Sequence, residues 1–358
     1  MPSSNSTSVS QAPFGATRSG ANLTQFTCTN KHGYSIGLID YGATITSVRT
    51  PDRNGQFDNI VLGCDNIETY EKCTCYFGSI VGRVCNRIAD AKFSINGIEY
   101  SLEANDGPNH LHGGRKGFDK LIWKGEPIQQ EDAVGVRFNL ISEAGDEGYP
   151  GQLAVTAEYL LNNDNEVSMR LEATTSEPTH VNLTGHSYWN LGGTGSGSIR
   201  DHHLMINADH FLPVNENLIP TGQLAPVADT ALDFRTAKPV GQDLDSLTND
   251  PIGYDHCYVL NRNADNGAPI KLQTASILVD PNSGRKLEIL TTQPSVQFYT
   301  GNFLNGLPSS NGFQQHSALC IETQGLVDAA NQPSFPTTLL NLGETYRQTT
   351  VYRFGVTD

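Results

Sequence analysis

Lys92-Phe93-Ser94-Ile95-Asn96-Gly97-Ile98-Glu99-Tyr100-Ser101-Leu102 sets two short β-prone runs on either side of Asn-Gly. A two-residue type I′ turn requires positive φ at both central positions, and Asn-Gly tolerates this better than other pairs. The stretch therefore reads as a β-hairpin, and the same idiom recurs along the chain. Asp52-Arg53-Asn54-Gly55 is a second hairpin turn, lying among β-rich runs at 35–40, 44–50 and 59–63. Further runs follow at 136–141, 153–161, 167–174, 204–206, 286–291, 296–300, 319–323 and 349–354. Long amphipathic helical patterns are scarce. Many strands at short spacing, without βαβ alternation, predict an all-β fold, a large antiparallel β-sandwich.

Bulk properties fit that class. The 358 residues are 37% hydrophobic and 17% charged, with 35 Gly and 18 Pro, which describes a turn-rich chain able to bury a large core. We expect one domain over 21–358, preceded by a leader at 1–20 that is rich in Ser, Asn, Gln and Gly and is disordered or extended. The leader has no apolar stretch to serve as a signal-peptide core. A formal net charge of −15 opposes binding to nucleic acid or to an anionic membrane surface. No segment approaches the uninterrupted apolar length of about 18 to 20 residues that a membrane helix needs. Seven cysteines (28, 64, 73, 75, 85, 257 and 320) lack paired C-x-x-C spacing, so neither zinc nor a full disulfide framework is indicated, and reduced thiols in a cytoplasm fit best. The sequons at Asn5, Asn22 and Asn182 carry weight only in a secreted chain.

Chemistry-bearing residues stand out where a polar group interrupts an apolar run. His186 lies in Thr184-Gly185-His186-Ser187-Tyr188-Trp189, and Glu322 lies in Leu319-Cys320-Ile321-Glu322-Thr323-Gln324. A histidine in such a run is more often a hydrogen-bonded core residue, whereas a carboxylate there is either paired or kept for function. Together they form a minimal kit for moving a proton onto one oxygen while removing it from another, with no cofactor. Gly82-Arg83-Val84-Cys85-Asn86-Arg87-Ile88 offers two arginines, for which salt bridging is the ordinary fate. Asn109-His110-Leu111-His112-Gly113-Gly114 lacks a third ligand at recognisable spacing, so hydrogen bonding is preferred to metal binding. Asp255-His256 and the run at 293–302, with Gln297, Phe298 and Tyr299, supply groups of the kind that bind neutral polyols; one of the two alternating aromatics belongs to the core. The polar loops at 103–120, 192–201 and 261–268 are where binding groups tend to sit.

Taken in order, these pieces resemble the aldose 1-epimerase family, the galactose mutarotases. The matching segments are 82–88, 111–114 with 117–120, 148–151, 186–191, 212–214 with 219–222, 254–256, 292–302, 322–324 and 328–333, spread over about 42–354. The resemblance implies a supersandwich with a sugar cleft on one face, His186 as general acid and Glu322 as general base. It also implies that Asn86, Arg87, His112, Asp255 and Gln297 hold a small-molecule aldose, galactose or glucose foremost, with no cofactor and no metal. Assembly is expected to be monomeric or weakly dimeric. Gly185, Trp189, Cys85 and His110 depart from the commonest family pattern, and Trp189 and His110 are expected to reshape the cleft. The implied activity is interconversion of α and β anomers by ring opening and closure, with His186 protonated through nearby negative charge. The rival readings are a non-catalytic sugar sensor on the same scaffold, an epimerase adapted to another hemiacetal or a sugar phosphate, and a lyase or hydrolase, which would need a second carboxylic acid.

Overall fold

The hairpin forms as read. Lys92–Ile95 pairs with Ile98–Ser101 with Ile95 opposite Ile98, and Asn96 and Gly97 take φ of 52° and 82°. The computed structural model describes residues 7–262 and 271–357, and strands dominate them. Helix among the described residues is confined to Ile67–Lys72, capped by the Asn66 side chain, and to a few single 3-10 turns.

Three antiparallel sheets carry the fold. The largest has nine strands, in the order Lys124–Gln129, Ala133–Ser142, Leu153–Asn162, Glu166–Thr175, Tyr346–Val356, Arg285–Thr291, Gln273–Val279, His203–Ile206, Lys238–Pro239. A seven-stranded sheet runs Ala225–Pro226, His210–Phe211, Asp255–Val259, Ser295–Tyr299, Leu319–Gln324, Tyr188–Trp189, Val61–Leu62. The eight runs read from 136–141 onward all fall within or overlap these strands. Period-two alternation explains the packing: Val134, Val136, Phe138 and Leu140 are buried along one strand while Arg137 and Ile141 are exposed. Phe138, Tyr159, Leu171, Leu287 and Tyr352 of the nine-stranded sheet meet Trp189, Phe298 and Ile321 of the seven-stranded sheet in one continuous core. Burying such side chains fully contributes roughly 1.5–3 kcal/mol each, enough to hold the sheets as one framework.

Of the leader, expected to be disordered or extended, Ser8–Ala16 is extended. These residues form the edge strand of a five-stranded sheet, pairing with Asn22–Thr29 from Ser8 opposite Thr29 to Ala16 opposite Asn22. The strand is mostly exposed, so its order comes from the main-chain ladder rather than from side-chain burial, and Pro13 is tolerated because the edge needs no donor there. Residues 1–6, with the Asn5 sequon, and most of the 261–268 loop lie outside the described residues. Asn182 is buried and accepts from the Gly325 amide, so it is no glycan acceptor in the folded chain.

Candidate active site

The seven-stranded sheet sets the site's floor. Along Ser295–Tyr299 and Leu319–Gln324 every residue is buried, and alternation sends Phe298 and Ile321 into the core. Gln297, Tyr299 and Glu322 face the opposite side, with Gln297 directly across the ladder from Glu322. The next strand brings in Asp255, whose Oδ1 accepts a hydrogen bond from Gln297 Nε2 at 2.6 Å. On the other flank, Tyr188 pairs with Cys320, so His186, two residues upstream, arrives beside Glu322. His186 Nε2 lies 3.6 Å from Glu322 Oε1, and both side chains are at most 5% exposed.

The wall comes from two segments distant in sequence. Arg87–Ile88 pairs with His110–Leu111, which carries His112 to the arginine. Asn86 adopts φ 57° and its amide donates to His112 Nδ1 at 3.2 Å, while its Oδ1 accepts from the Arg87 amide. Arg87 Nε donates to Asp106 Oδ2 at 2.8 Å, and its Nη1 stands 3.9 Å from Asp255 Oδ2. Gly113 lets the loop close: at φ +84° a Cβ would sit 1.8 Å from the Gly82 carbonyl oxygen. Arg83 does not enter the site. It is buried among the carbonyls of 142, 143, 150 and 151, and burial lowers its pKa to about 10.

The result is a cavity of about 400 Å³ lined by Asn86, Arg87, His112, His186, Asp255, Gln297 and Glu322, all seven residues singled out from sequence. That volume lies within the usual range for small-ligand pockets. Glu322 Oε2 and Gln297 Oε1 are buried without a hydrogen-bond partner among the described residues. Buried polar atoms normally have partners, so these oxygens are left with hydrogen-bonding capacity facing the cavity. Tyr76, Asp106, Asn305, Ser309 and Phe303 also line the cavity and were not found from sequence. Two left a signal: Asp106 lies in the polar loop at 103–120, and Phe303, 56% accessible at the rim, lies just past the run at 293–302. Tyr76 stacks on His186 with centroids 5.8 Å apart, meets His112 at 4.6 Å, and has Lys120 Nζ over its ring at 5.1 Å.

Two expectations need correction. Trp189 lies in the core and His110 is fully buried between the Glu103 carbonyl and the Tyr149 hydroxyl, so neither lines the cleft. His186 is not held protonated by nearby charge. Burial lowers its pKa to about 4, and burial, with Asp255 assisting and Arg87 opposing, raises that of Glu322 well above the usual carboxylate range. His112 is likewise pushed down, by burial first and then by His186, Arg87 and Lys120. Burial thus favours the uncharged form of each partner, imidazole at His186 and carboxylic acid at Glu322.

His112, His186 and Glu322 also have ligand atoms within 4.8 Å of one another, a possible cation site. The hydrogen bonding argues otherwise. His112 Nδ1 accepts from the Asn86 amide, so its neutral ring carries the proton on Nε2, which makes the other nitrogen a donor rather than a metal ligand.

Comparison with known proteins places this arrangement. The chain is 44% identical over 352 residues to a galactose mutarotase of Bos taurus, covering 98% of this chain and 99% of that protein. It is 37% identical over 334 residues to an aldose 1-epimerase of Escherichia coli K12, covering 92% and 94%. The solved structure of a galactose 1-epimerase from Lactobacillus acidophilus NCFM superimposes with a TM-score of 0.85 at 28% identity, covering 99% of this chain and all of that one. With residues 24–353 also matching the aldose 1-epimerase family across all three sheets and the cleft, this chain belongs to that family.

Proposed function

We propose that the protein is a cofactor-independent aldose 1-epimerase that interconverts the α and β anomers of a free hexose, galactose or glucose, by opening and reclosing the ring. The observation carrying this reading is the buried His186–Glu322 pair, 3.6 Å apart in a cavity whose remaining polar groups suit hydroxyls. Opening requires a proton to leave the C1 hydroxyl and another to reach the ring oxygen. Glu322 as carboxylate takes the first, His186 as imidazolium gives the second, and the C1–O5 bond breaks to the free aldehyde. Rotation about C1–C2 presents the other carbonyl face, and the same groups act in reverse on closure.

The pair's protonation fits this cycle without any change of charge. Burial favours one proton on Glu322, the working state holds the same proton on His186, and a sugar hydroxyl seated between them relays it. Arg87, which lowers the Glu322 pKa, favours the working state. Asn86, Arg87, His112, Asp255 and Gln297 hold the sugar hydroxyls. As part of the same reading the enzyme acts as a monomer or weak dimer in a reducing cytoplasm, which suits its free cysteines. The net charge of −15 supports the absence of nucleic-acid and membrane partners.

Polarimetry of freshly dissolved α-galactose tests the proposal. General acid and base groups contribute about two to four orders of magnitude each, so Glu322→Gln and His186→Asn should each lower kcat at least a hundredfold while melting normally. Near-normal mutarotation by either variant overturns the assignment, and no activity in the unaltered protein would favour the sensor reading.

A further inference from the structure

His186 has two ring nitrogens, and the chemistry above uses only Nε2. Its Nδ1 lies 3.6 Å from the Cys320 sulfur, within the range for a sulfur hydrogen bond. Cys320 and Glu322 are two residues apart on one strand and point to the same side of it, so a single strand addresses both nitrogens of one imidazole. The ring's plane has separate supports: Tyr188 stacks on it at 5.1 Å and 25°, Tyr76 at 5.8 Å and 28°. Stacking holds a plane but is indifferent to a half-turn within it, which would exchange nitrogen for C–H at the cleft. Polar partners distinguish the two, Glu322 at Nε2 and the Cys320 sulfur at Nδ1.

Resting on the reading of His186 as the general acid, we propose that Cys320 is its positioning residue, the sulfur accepting from Nδ1–H whether the ring is neutral or charged, so that Nε2 alone takes and gives the working proton. A carboxylate at this place would hold the ring permanently protonated. A thiol does not, because it is both a weak donor and a weak acceptor and carries no charge. Burial first, then Glu322 and Asp255, raise the Cys320 pKa well above the ordinary thiol range, so the S–H persists across the working pH. The neutral ring donating from Nδ1 leaves Nε2 unprotonated toward Glu322 and the sugar, and protonation adds the second proton at Nε2 without moving the ring. The other titratable groups facing the imidazole are Glu322, His112, Tyr76 and Tyr188.

Cys320→Ala and Cys320→Ser compare the two possibilities by polarimetry over a pH series. Loss of an orienting contact typically costs between about 10-fold and 100-fold, so the Ala variant should lose kcat by that factor with KM within about twofold. The alkaline limb of its kcat/KM profile should move downward, since an acceptor that favours the charged ring is gone. Serine, which donates and accepts, should restore most of kcat and return the limb. A wild-type kcat and pH profile for the Ala variant, or equal loss in Ala and Ser, overturns the proposal. Two-bond 1H–15N spectra of the unaltered protein supply a readout independent of variant folding: a neutral His186 ring with its proton on Nε2 also overturns it. Full activity in His186→Asn would remove the underlying reading instead, and is a separate result.

Discussion

At the scale of single residues, the site is governed by one proton shared between two buried groups. His186 is depressed to about 4 and Glu322 is raised well above 4.5, both chiefly by burial. The second proton therefore joins the pair only below about pH 4–5, and the single proton leaves only well above the carboxylate range. Because kcat/KM reports the free enzyme, it should stay flat from about pH 5 through neutrality and fall below that, with limbs belonging to the pair rather than to either residue. An acid limb centred near 6.5, the ordinary imidazole value, is the outcome that would rule this out. His186 and Glu322 were legible in the sequence because each interrupts an apolar strand. Tyr76 was not: in Cys75-Tyr76-Phe77-Gly78 nothing separates it from an ordinary core aromatic, and its contacts with both histidines exist only once distant loops converge.

At the scale of elements, glycines show which turns are free and which are committed. Gly97 at φ +82° has no atom within 4 Å of a would-be Cβ, so Gly97→Ala pays only left-handed strain of about 1–2 kcal/mol and should leave KM unchanged. Gly113 has a similar φ, but its Cβ would overlap the Gly82 carbonyl, and the loop carrying His112 must move. Gly113→Ala should raise KM about tenfold or more in the polarimetric assay; an unchanged KM would show that His112 is not placed by this contact. The hairpin and the long alternating strands were readable because period-two burial and turn chemistry are local. The edge strand Ser8–Ala16 was not, because its order comes from a partner's main chain and leaves no hydrophobic pattern.

At the scale of the molecule, buried neutral histidines tie global stability to pH. His202 accepts from the Leu191 amide at 2.9 Å and is lowered to about 4 by burial. Above 6.5 both folded and unfolded forms hold it neutral; as pH falls toward 4 the unfolded chain takes up the proton first and is stabilised. At about 1.36 kcal/mol per pKa unit, the shift from 6.5 to about 4 corresponds to a loss of up to about 3 kcal/mol. Denaturant unfolding should therefore find His202→Gln less stable than the unaltered protein at pH 7, with the gap narrowing by pH 4.5. A gap independent of pH would contradict the shift. Secondary structure, sandwich class and the candidates His186 and Glu322 were already written in the chain, since alternation, turn residues and polar interruptions are properties of short segments. Folding alone established which groups meet: that Asp106 anchors Arg87, that Trp189 and His110 turn away from the cleft, and that His186 is neutral. These follow from burial and from distances between strands far apart in sequence, quantities that no local pattern encodes.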